Sequence, residues 1–444
     1  MVRLPITRGR LPISSRDLNE DNGCGRSRGN EVDMAIRMVV IGAGDRGRTY
    51  ASYAEAYPDE LRIVGVAEPN EESRSYFAKR YALPEKFQWR SWEAAVAAMP
   101  ETDVVAICTP DALHLEPALA FLDAGYHLLL EKPMARSWEA CRQLAEKVRQ
   151  TRRLVLVGHV LRYTNYFTHL KAVLDAGEIG DVVSIQHMEP VAYMHAAHSF
   201  CRGNWGNTVR STPMILQKCC HDFDQFVWWL GRRCLRVSSF GGLTHFRPEN
   251  RPAGAAARCL DCPKAIERAC PFSARKIYLE RTTYRYPFVD QSDSGMERLL
   301  KDSPYGRCVY ACDNDAVDHQ IVNLLFDGGV TVSHIMESYT YTGGRETKIF
   351  GTRGEIVGNG RTLRIYHFSD RTTTEWDSVL EAGLNGSGHG GGDFGIVREL
   401  IRQLEHGTEA DHLAAFEMSL ESHKIAFAAE KSRLAQGEVQ VLEG

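Results

Sequence analysis

Residues 38–47 read Met38-Val39-Val40-Ile41-Gly42-Ala43-Gly44-Asp45-Arg46-Gly47. A short apolar run breaks into three glycines at G-x-G-x-x-G spacing. The run predicts a buried strand. The glycines predict a tight turn into a helix, with backbone N–H groups and the helix's positive end presented to an anion such as a pyrophosphate. Gly42, Gly44, Asp45, Arg46 and Gly47 are therefore candidate cofactor contacts. A glycine-rich turn of this kind also occurs without a ligand, so the reading depends on what surrounds it.

The next apolar run, Leu61–Ala67, predicts a second strand and ends on Glu68, 21 residues beyond Gly47. At that distance a dinucleotide fold places the carboxylate that accepts hydrogen bonds from the adenosine ribose. A carboxylate there repels a 2′-phosphate, so NAD is expected rather than NADP. Asp103–Cys108 predicts a third strand, followed by Thr109-Pro110. His114–Ala124 reads as a helix with Leu115, Leu119 and Leu122 on one face, closed by Gly125. Tyr126–Leu130 is a strand running into Glu131-Lys132-Pro133. Ser137 can cap the next helix, and Leu154–Gly158 is a further strand. Strand and helix alternate throughout, which predicts an α/β domain with a doubly wound parallel sheet over residues 34–158.

At 444 residues the chain is long enough for two or three domains. It is 43% hydrophobic and 25% charged with a net charge of −4, which gives no reason to expect nucleic acid or an acidic surface as partner. No apolar run reaches the ~18 residues of a membrane span. Residues 1–33 are polar and arginine-rich with interspersed acids and no apolar signal core; they read as a disordered leader, with Met34 the expected native start and the cytoplasm the expected location. Seven of the 12 cysteines (Cys24, Cys108, Cys141, Cys201, Cys219, Cys220 and Cys234) are scattered, and no disulfide framework is expected.

The glycine turn, Thr109-Pro110 with His114, and Glu131-Lys132-Pro133 stand in an order and spacing that resembles the Gfo/Idh/MocA family of nicotinamide-dependent sugar and inositol oxidoreductases. The resemblance runs over residues 36–435. It implies a Rossmann domain followed, over 159–435, by an α+β domain whose large, mostly antiparallel open sheet covers the nicotinamide and forms a homodimer or homotetramer interface; 436–444 is left as a tail. Thr109, Pro110, His114, Glu131 and Lys132 then join the cofactor contacts. By the same resemblance Lys132 bonds the substrate hydroxyl and helps move its proton, and His221 completes the catalytic set with an aspartate four residues earlier. Here that earlier position is Gln217, which is neither acid nor base. Its neighbour Lys218, with a depressed pKa in a cleft, is an alternative base.

Arg162, Tyr193, His195, His198, Arg202 and Trp205 are candidate substrate contacts, aromatic rings for a sugar face and cationic groups for hydroxyls or an anion. His389, in the glycine-rich stretch Gly388–Asp393, could close over substrate together with Asp393. Residues 241–316 interrupt the second domain as a loop-rich insertion that needs a staple. Cys259-x-x-Cys262 with Cys270 and Cys308 has the donor set of a structural zinc site, with Cys312 as the competing fourth ligand, an iron–sulfur cluster as a second possibility and free thiols as a third. Beyond it, Val317–Phe326 and Val330–Met336 predict strands joined at Asp327-Gly328-Gly329, and Thr347–Phe350, Glu355–Val357 and Thr362–Phe368 continue the sheet. The reading that follows is an NAD-dependent oxidoreductase acting on a secondary alcohol of a sugar, glycoside or cyclitol. Two alternatives stand beside it: an NAD-dependent glycoside hydrolase that oxidises, eliminates, hydrates and re-reduces its substrate, and a non-catalytic cofactor-binding sensor.

Overall fold

The computed structural model describes residues 35–442 except 286, 287, 289 and 382–387. The expectations for the leader lie outside the described residues. Six strands, β1 (Ile36–Ile41), β2 (Leu61–Ala67), β3 (Gln88–Trp89), β4 (Val104–Ile107), β5 (His127–Leu130) and β6 (Val155–Val157), form a parallel sheet in the order β3-β2-β1-β4-β5-β6. Successive strand residues point to opposite faces, and both faces are covered. Met38 and Val40 pack with Ile396, Val397 and Leu400 of the helix Gly392–His406, while Val39 and Ile41 pack with Phe121, Leu144 and Phe416. That two-sided burial is why these strands read as continuous apolar runs.

The second sheet has nine strands: β7 (Val182–Pro190), β8 (Cys234–Gly242), β9 (His319–Phe326), β10 (Thr331–Glu337), β11 (Glu346–Gly351), β12 (Gly354–Gly358), β13 (Thr362–His367), β14 (Thr373–Asp377) and β15 (Gln440–Val441). Their order is β14-β13-β12-β11-β7-β10-β9-β8-β15, with β7 and β10 parallel and the other pairs antiparallel. The β9–β10 turn is the expected hairpin: Gly328 (φ +75°) and Gly329 (φ +82°) both occupy the left-handed region that other residues avoid. One face of this sheet is covered by the helices Met214–Leu230 and Glu409–Leu434. The other carries a row of paired apolar residues, Phe240, Ile321, Ile335 and Met188, the first three well exposed.

The chain returns to the first domain late: the helix Gly392–His406 packs on the Rossmann core, and the helix Glu409–Leu434 contributes Phe416 and Leu420 to that core and Ile425, Ala426 and Ala429 to the second. The insertion contains short helices such as Lys264–Ala269 and Asp293–Asp302, and residues expected as a loose tail add β15 to the sheet edge.

Candidate active site

The glycine turn after β1 has three different constraints. Gly42 sits at φ +96°, and a Cβ there would lie 2.7 Å from the Cys108 carbonyl oxygen. A Cβ on Gly47 would strike the Gly42 carbonyl, so glycine lets the helix Asp45–Ala51 seat against the turn. Gly44 has nothing within 4 Å of such a Cβ; its backbone borders open space at the start of that helix. Glu68, at the end of β2, accepts hydrogen bonds from the Ala43 N–H (2.9 Å) and the Asn70 N–H (2.9 Å), which fixes the carboxylate at the mouth of the turn. The open backbone and the acidic group suit an NAD pyrophosphate and ribose.

Arg46 does not extend into this space. Its Nε donates to Glu131 Oε1 (2.7 Å) and its other terminus to Asp393 Oδ1 (2.9 Å). Glu131, 5% exposed, also accepts from the Tyr50 hydroxyl (2.5 Å) and the Lys132 N–H (2.9 Å). Burial opposes charge on Glu131, but Arg46, Lys132 and the Tyr50 hydrogen bond outweigh it and hold the carboxyl below its usual range. Asp45, by contrast, is raised, chiefly by burial. His389 pairs with Asp393 (3.0 Å), beside Arg46, so the structure puts His389 next to the glycine turn. His114 lies between the Thr109 and Pro133 carbonyl oxygens, 2.8 Å from each, and thereby ties the Thr109-Pro110 turn to the Lys132-Pro133 turn.

Lys132 follows β5 directly and reaches across to the second domain. Its Nζ donates to the Gln217 carbonyl oxygen (2.8 Å) and lies 5.9 Å from the centroid of Trp205, itself 37% exposed. His221 is one helical turn beyond Gln217 and is 9% exposed; its Nδ1 has no hydrogen-bond partner. Burial first, then the nearby Lys132, holds the His221 imidazole well below its usual range. His195 is lowered in the same way, by burial and then by Lys218, His198 and Lys132. Lys132, Lys218, His195 and His221 thus lie close enough to act on one another electrostatically. Lys218, expected as a free amine, is instead ion-paired with Glu189 Oε1 (2.9 Å), whose other oxygen faces Arg345 (3.1 Å).

Three expected substrate contacts are committed elsewhere. Arg162 pairs bidentately with Asp224, which is fully buried. His198 bonds the Tyr278 hydroxyl (2.6 Å) and stacks on Tyr305 inside the insertion. Arg202, 1% exposed, donates to the Arg307 carbonyl (2.7 Å), the Phe272 carbonyl (2.7 Å) and Cys259 Sγ (3.5 Å). Tyr193 packs near Phe272, its ring centroid 6.1 Å away.

Asp111, unremarked in the sequence although it follows Thr109-Pro110, is a buried carboxylate at this boundary. It accepts from Ser211 Oγ (2.8 Å), Thr212 Oγ1 (3.0 Å) and the Gln217 side-chain amide.

Cys259, Cys262, Cys270 and Cys308 line a common cavity of about 20 Å³ together with Arg202, Val309 and Tyr310. Cys312 is not on its wall; its Sγ donates to the Cys308 carbonyl (3.3 Å). Among the described residues the groups of three metal-type side chains with ligand atoms within 4.8 Å of one another are His159–Cys220–His423 and Cys219–Asp222–His334; the insertion cysteines form no such group. In the first, both His423 nitrogens are bonded, Nε2 to the Met134 N–H and Nδ1 to the Ser419 carbonyl. In the second, Asp222 is paired with His187 and Arg345.

A parallel sheet with a glycine turn, an acidic β2 end and a lysine beyond β5 bonded to the histidine-bearing helix Met214–Leu230 defines a dinucleotide-dependent oxidoreductase. Residues 36–159 match the family model described as "Oxidoreductase family, NAD-binding Rossmann fold", and residues 167–357 match the "GFO/IDH/MocA C-terminal domain". The chain belongs to the Gfo/Idh/MocA family. It is 25% identical over 329 residues to the protein YteT of Bacillus subtilis (strain 168), covering 71% of this chain and 76% of that one. It is 28% identical over 198 residues to an inositol 2-dehydrogenase of Pseudomonas syringae pv. syringae (strain B728a), covering 44% of this chain but only 55% of that enzyme. In fold it is similar to an inositol dehydrogenase homologue from Azotobacter vinelandii complexed with NADH and myo-inositol (TM-score 0.63, 13% identity, 92% of this chain and 98% of that one). It is likewise similar to an NAD-binding oxidoreductase from Klebsiella pneumoniae (TM-score 0.68, 16% identity, 92% and 100%).

Proposed function

We propose that the protein is an NAD-dependent dehydrogenase of a secondary alcohol on a cyclitol or sugar. The observation that carries this reading is the hydrogen bond from Lys132 Nζ to the Gln217 carbonyl, one helical turn before His221. Gly42, Gly44 and Gly47 would cradle the cofactor pyrophosphate and Glu68 its adenosine ribose; the nicotinamide supplies the hydride chemistry when bound. Lys132 Nζ holds the substrate hydroxyl. His221, kept neutral by burial and by the nearby Lys132, has an unpaired buried Nδ1 available to take a hydroxyl proton. Trp205 offers an apolar face to the ring beside Lys132. The curated inositol 2-dehydrogenase relative supports the cyclitol class.

The test is a panel of inositols, free sugars and aryl glycosides with NAD, following nicotinamide absorbance and aglycone release together. Reduced cofactor accumulating on an inositol or sugar without bond cleavage is expected. Aglycone release with no net reduced cofactor would replace this reading with a redox-cycling glycosidase.

We also assign a structural zinc ion to Cys259, Cys262, Cys270 and Cys308, supported by the cavity they share. Elemental analysis of purified protein is expected to give zinc in stoichiometric amount; iron with inorganic sulfide, or neither metal, would overturn this. The exposed row Phe240–Ile321–Ile335 supports a homo-oligomer through the open sheet face, testable by light scattering of Ile335→Asp. No described helix is long and apolar enough to cross a membrane, and the described cysteines are all free, which suits the reducing cytoplasm.

A further inference from the structure

Ala192 stands at φ +71° and ψ 134°, a backbone conformation that glycine adopts readily and a residue with a Cβ avoids. It lies between the end of β7 at Pro190 and the helical turn Tyr193–His195. β7 and β10 run parallel and finish together, Pro190 opposite Glu337. Beyond that point the two chains stay tied. The Val191 N–H donates to the Glu337 carbonyl (2.9 Å), the Ala192 N–H to Thr340 Oγ1 (3.0 Å) and the Tyr193 N–H to the Thr340 carbonyl (3.0 Å). Thr340 thus takes the N–H groups on both sides of the Ala192 α-carbon. The Ala192 carbonyl in turn accepts the Ala196 N–H (2.9 Å). Backbone strain of this kind persists only where its surroundings over-determine it, and Thr340 supplies that constraint.

The strained residue leads into the stretch that runs to the catalytic lysine. His195 lies 5.7 Å from Phe200 between ring centroids, Phe200 lies 5.9 Å from Trp205, and Trp205 lies 5.9 Å from Lys132 Nζ. On the other side, Glu189 of β7 holds Lys218 Nζ (2.9 Å). The segment after His195, Ala196–Arg202, is a π-helical run, a second departure from regular backbone in the same stretch. Both kinds of departure recur at functional sites. The His195 ring is hydrogen-bonded to the Val191 backbone. A neutral imidazole that donates one N–H to a carbonyl keeps its other nitrogen as an acceptor.

We propose that Thr340 is a positioning residue: with the strained Ala192 it forms a clasp that sets His195, and His195 accepts a hydrogen bond from a second substrate hydroxyl, next to the one held by Lys132. What His195 touches rests on the dehydrogenase reading above. The clasp itself rests on backbone geometry alone.

The experiment uses the full-length protein. Thr340→Val keeps the side-chain shape and removes the acceptor, whereas Thr340→Ser keeps the acceptor. Amide hydrogen exchange in residues 191–202 is expected to rise about tenfold in Thr340→Val, as for loss of one hydrogen bond, and to stay native in Thr340→Ser; exchange in 36–68 should not change in either. Ala192→Gly should leave the denaturation midpoint at or above the native one, because relief of strain at positive φ offsets the chain entropy of glycine. On a substrate from the inositol and sugar panel, His195→Ala and Thr340→Val should raise KM about tenfold with a smaller change in kcat, and Thr340→Ser should restore the native KM. Unchanged exchange in Thr340→Val, or a clear fall in the midpoint of Ala192→Gly, overturns the clasp; the glycine variant decides this even if Thr340→Val does not fold. Raised exchange with a native KM in Thr340→Val makes the clasp structural only and overturns the positioning role. A native KM in His195→Ala overturns the hydroxyl contact. No turnover of any panel member by the native protein removes the dehydrogenase reading and the His195 contact with it, while the exchange and midpoint arms still decide the clasp.

Discussion

Replacing Arg162 with methionine discriminates between a substrate role and a structural one. Arg162 Nε lies 2.6 Å from Asp224 Oδ2, a second N–H reaches Oδ1, and His159 Nδ1 stands 2.8 Å from the same carboxylate. The Asp224 side chain is 0% exposed and that of Arg162 10%. Burial alone would raise the Asp224 pKa, but Arg162 and His159 outweigh it and bring the group to about 2. Against an ordinary aspartate near 3.9, that depression contributes on the order of 3 kcal/mol at neutral pH. Because the folded value lies below the unfolded one, the contribution is complete above about pH 4 and is lost as pH falls towards the folded value. Arg162→Met leaves a fully buried carboxylate with only His159 beside it, and the expected cost is about 3–5 kcal/mol. Urea unfolding followed by tryptophan fluorescence measures it. Arg162→Met/Asp224→Leu, which removes both charges, should recover most of the loss. A single variant as stable as the native protein, with a raised KM, would refute the argument and return Arg162 to the substrate.

Lys132→Met and His221→Ala should each lower kcat by about 10²–10⁴-fold while NADH affinity, read by fluorescence, is unchanged; retained turnover in both would remove them from the chemistry. Glu68→Gln keeps an acceptor for the Ala43 N–H but removes the charge, so discrimination between NADH and NADPH should narrow by about 10–100-fold; an unchanged ratio of the two dissociation constants would separate Glu68 from the ribose. Burial is the chief cause that holds His198 at about 4, His334 at about 3 and His423 at about 3. Since these folded values lie below the unfolded ~6.5, stability is present above that pH and falls as the medium becomes more acidic, by about 1.4 kcal/mol per pH unit for each histidine. Denaturant midpoints that stay flat between pH 6.5 and 4.5 would contradict this.

The Rossmann half was legible because its signals are local. The glycine turn, Glu68 and the Glu131-Lys132-Pro133 strand end each carry their meaning within a few residues, and the parallel strands are buried on both faces. The strands β9–β13 could be read from their alternation, and β9–β10 from their diglycine turn. What sequence could not supply was long-range pairing. Nothing near Arg162 announces Asp224, 62 residues on, and nothing near Arg202 announces the Cys259 pocket. A buried, paired arginine and a binding arginine look alike in one dimension. Arg46 was likewise expected at the cofactor, but Glu131 and Asp393 hold it. The β14 strand, half-exposed at a sheet edge, has too weak an alternation to stand out.

Gln217 is the departure with the largest consequence for mechanism. Family resemblance expects an aspartate at that position, yet the structure has a carboxylate at the other end of the same hydrogen bond. Asp111, on the first domain, accepts from the Gln217 side-chain amide and from Ser211 and Thr212 on the second. The Gln217 carbonyl in turn holds Lys132 Nζ. The start of the helix Met214–Leu230 is thereby fastened to the Thr109-Pro110 turn, and the lysine is positioned by backbone rather than by a carboxylate. Gln217→Asp would set two buried carboxylates against each other, and like charges at hydrogen-bond distance cannot both ionise without cost. The single variant is expected to lose about 2 kcal/mol or more of stability and to lower kcat. Asp111→Asn/Gln217→Asp restores one amide and one carboxylate in exchanged positions and should recover both. Full stability and activity in the single variant, or no recovery in the double, would show that Asp111 and Gln217 do not act as a pair.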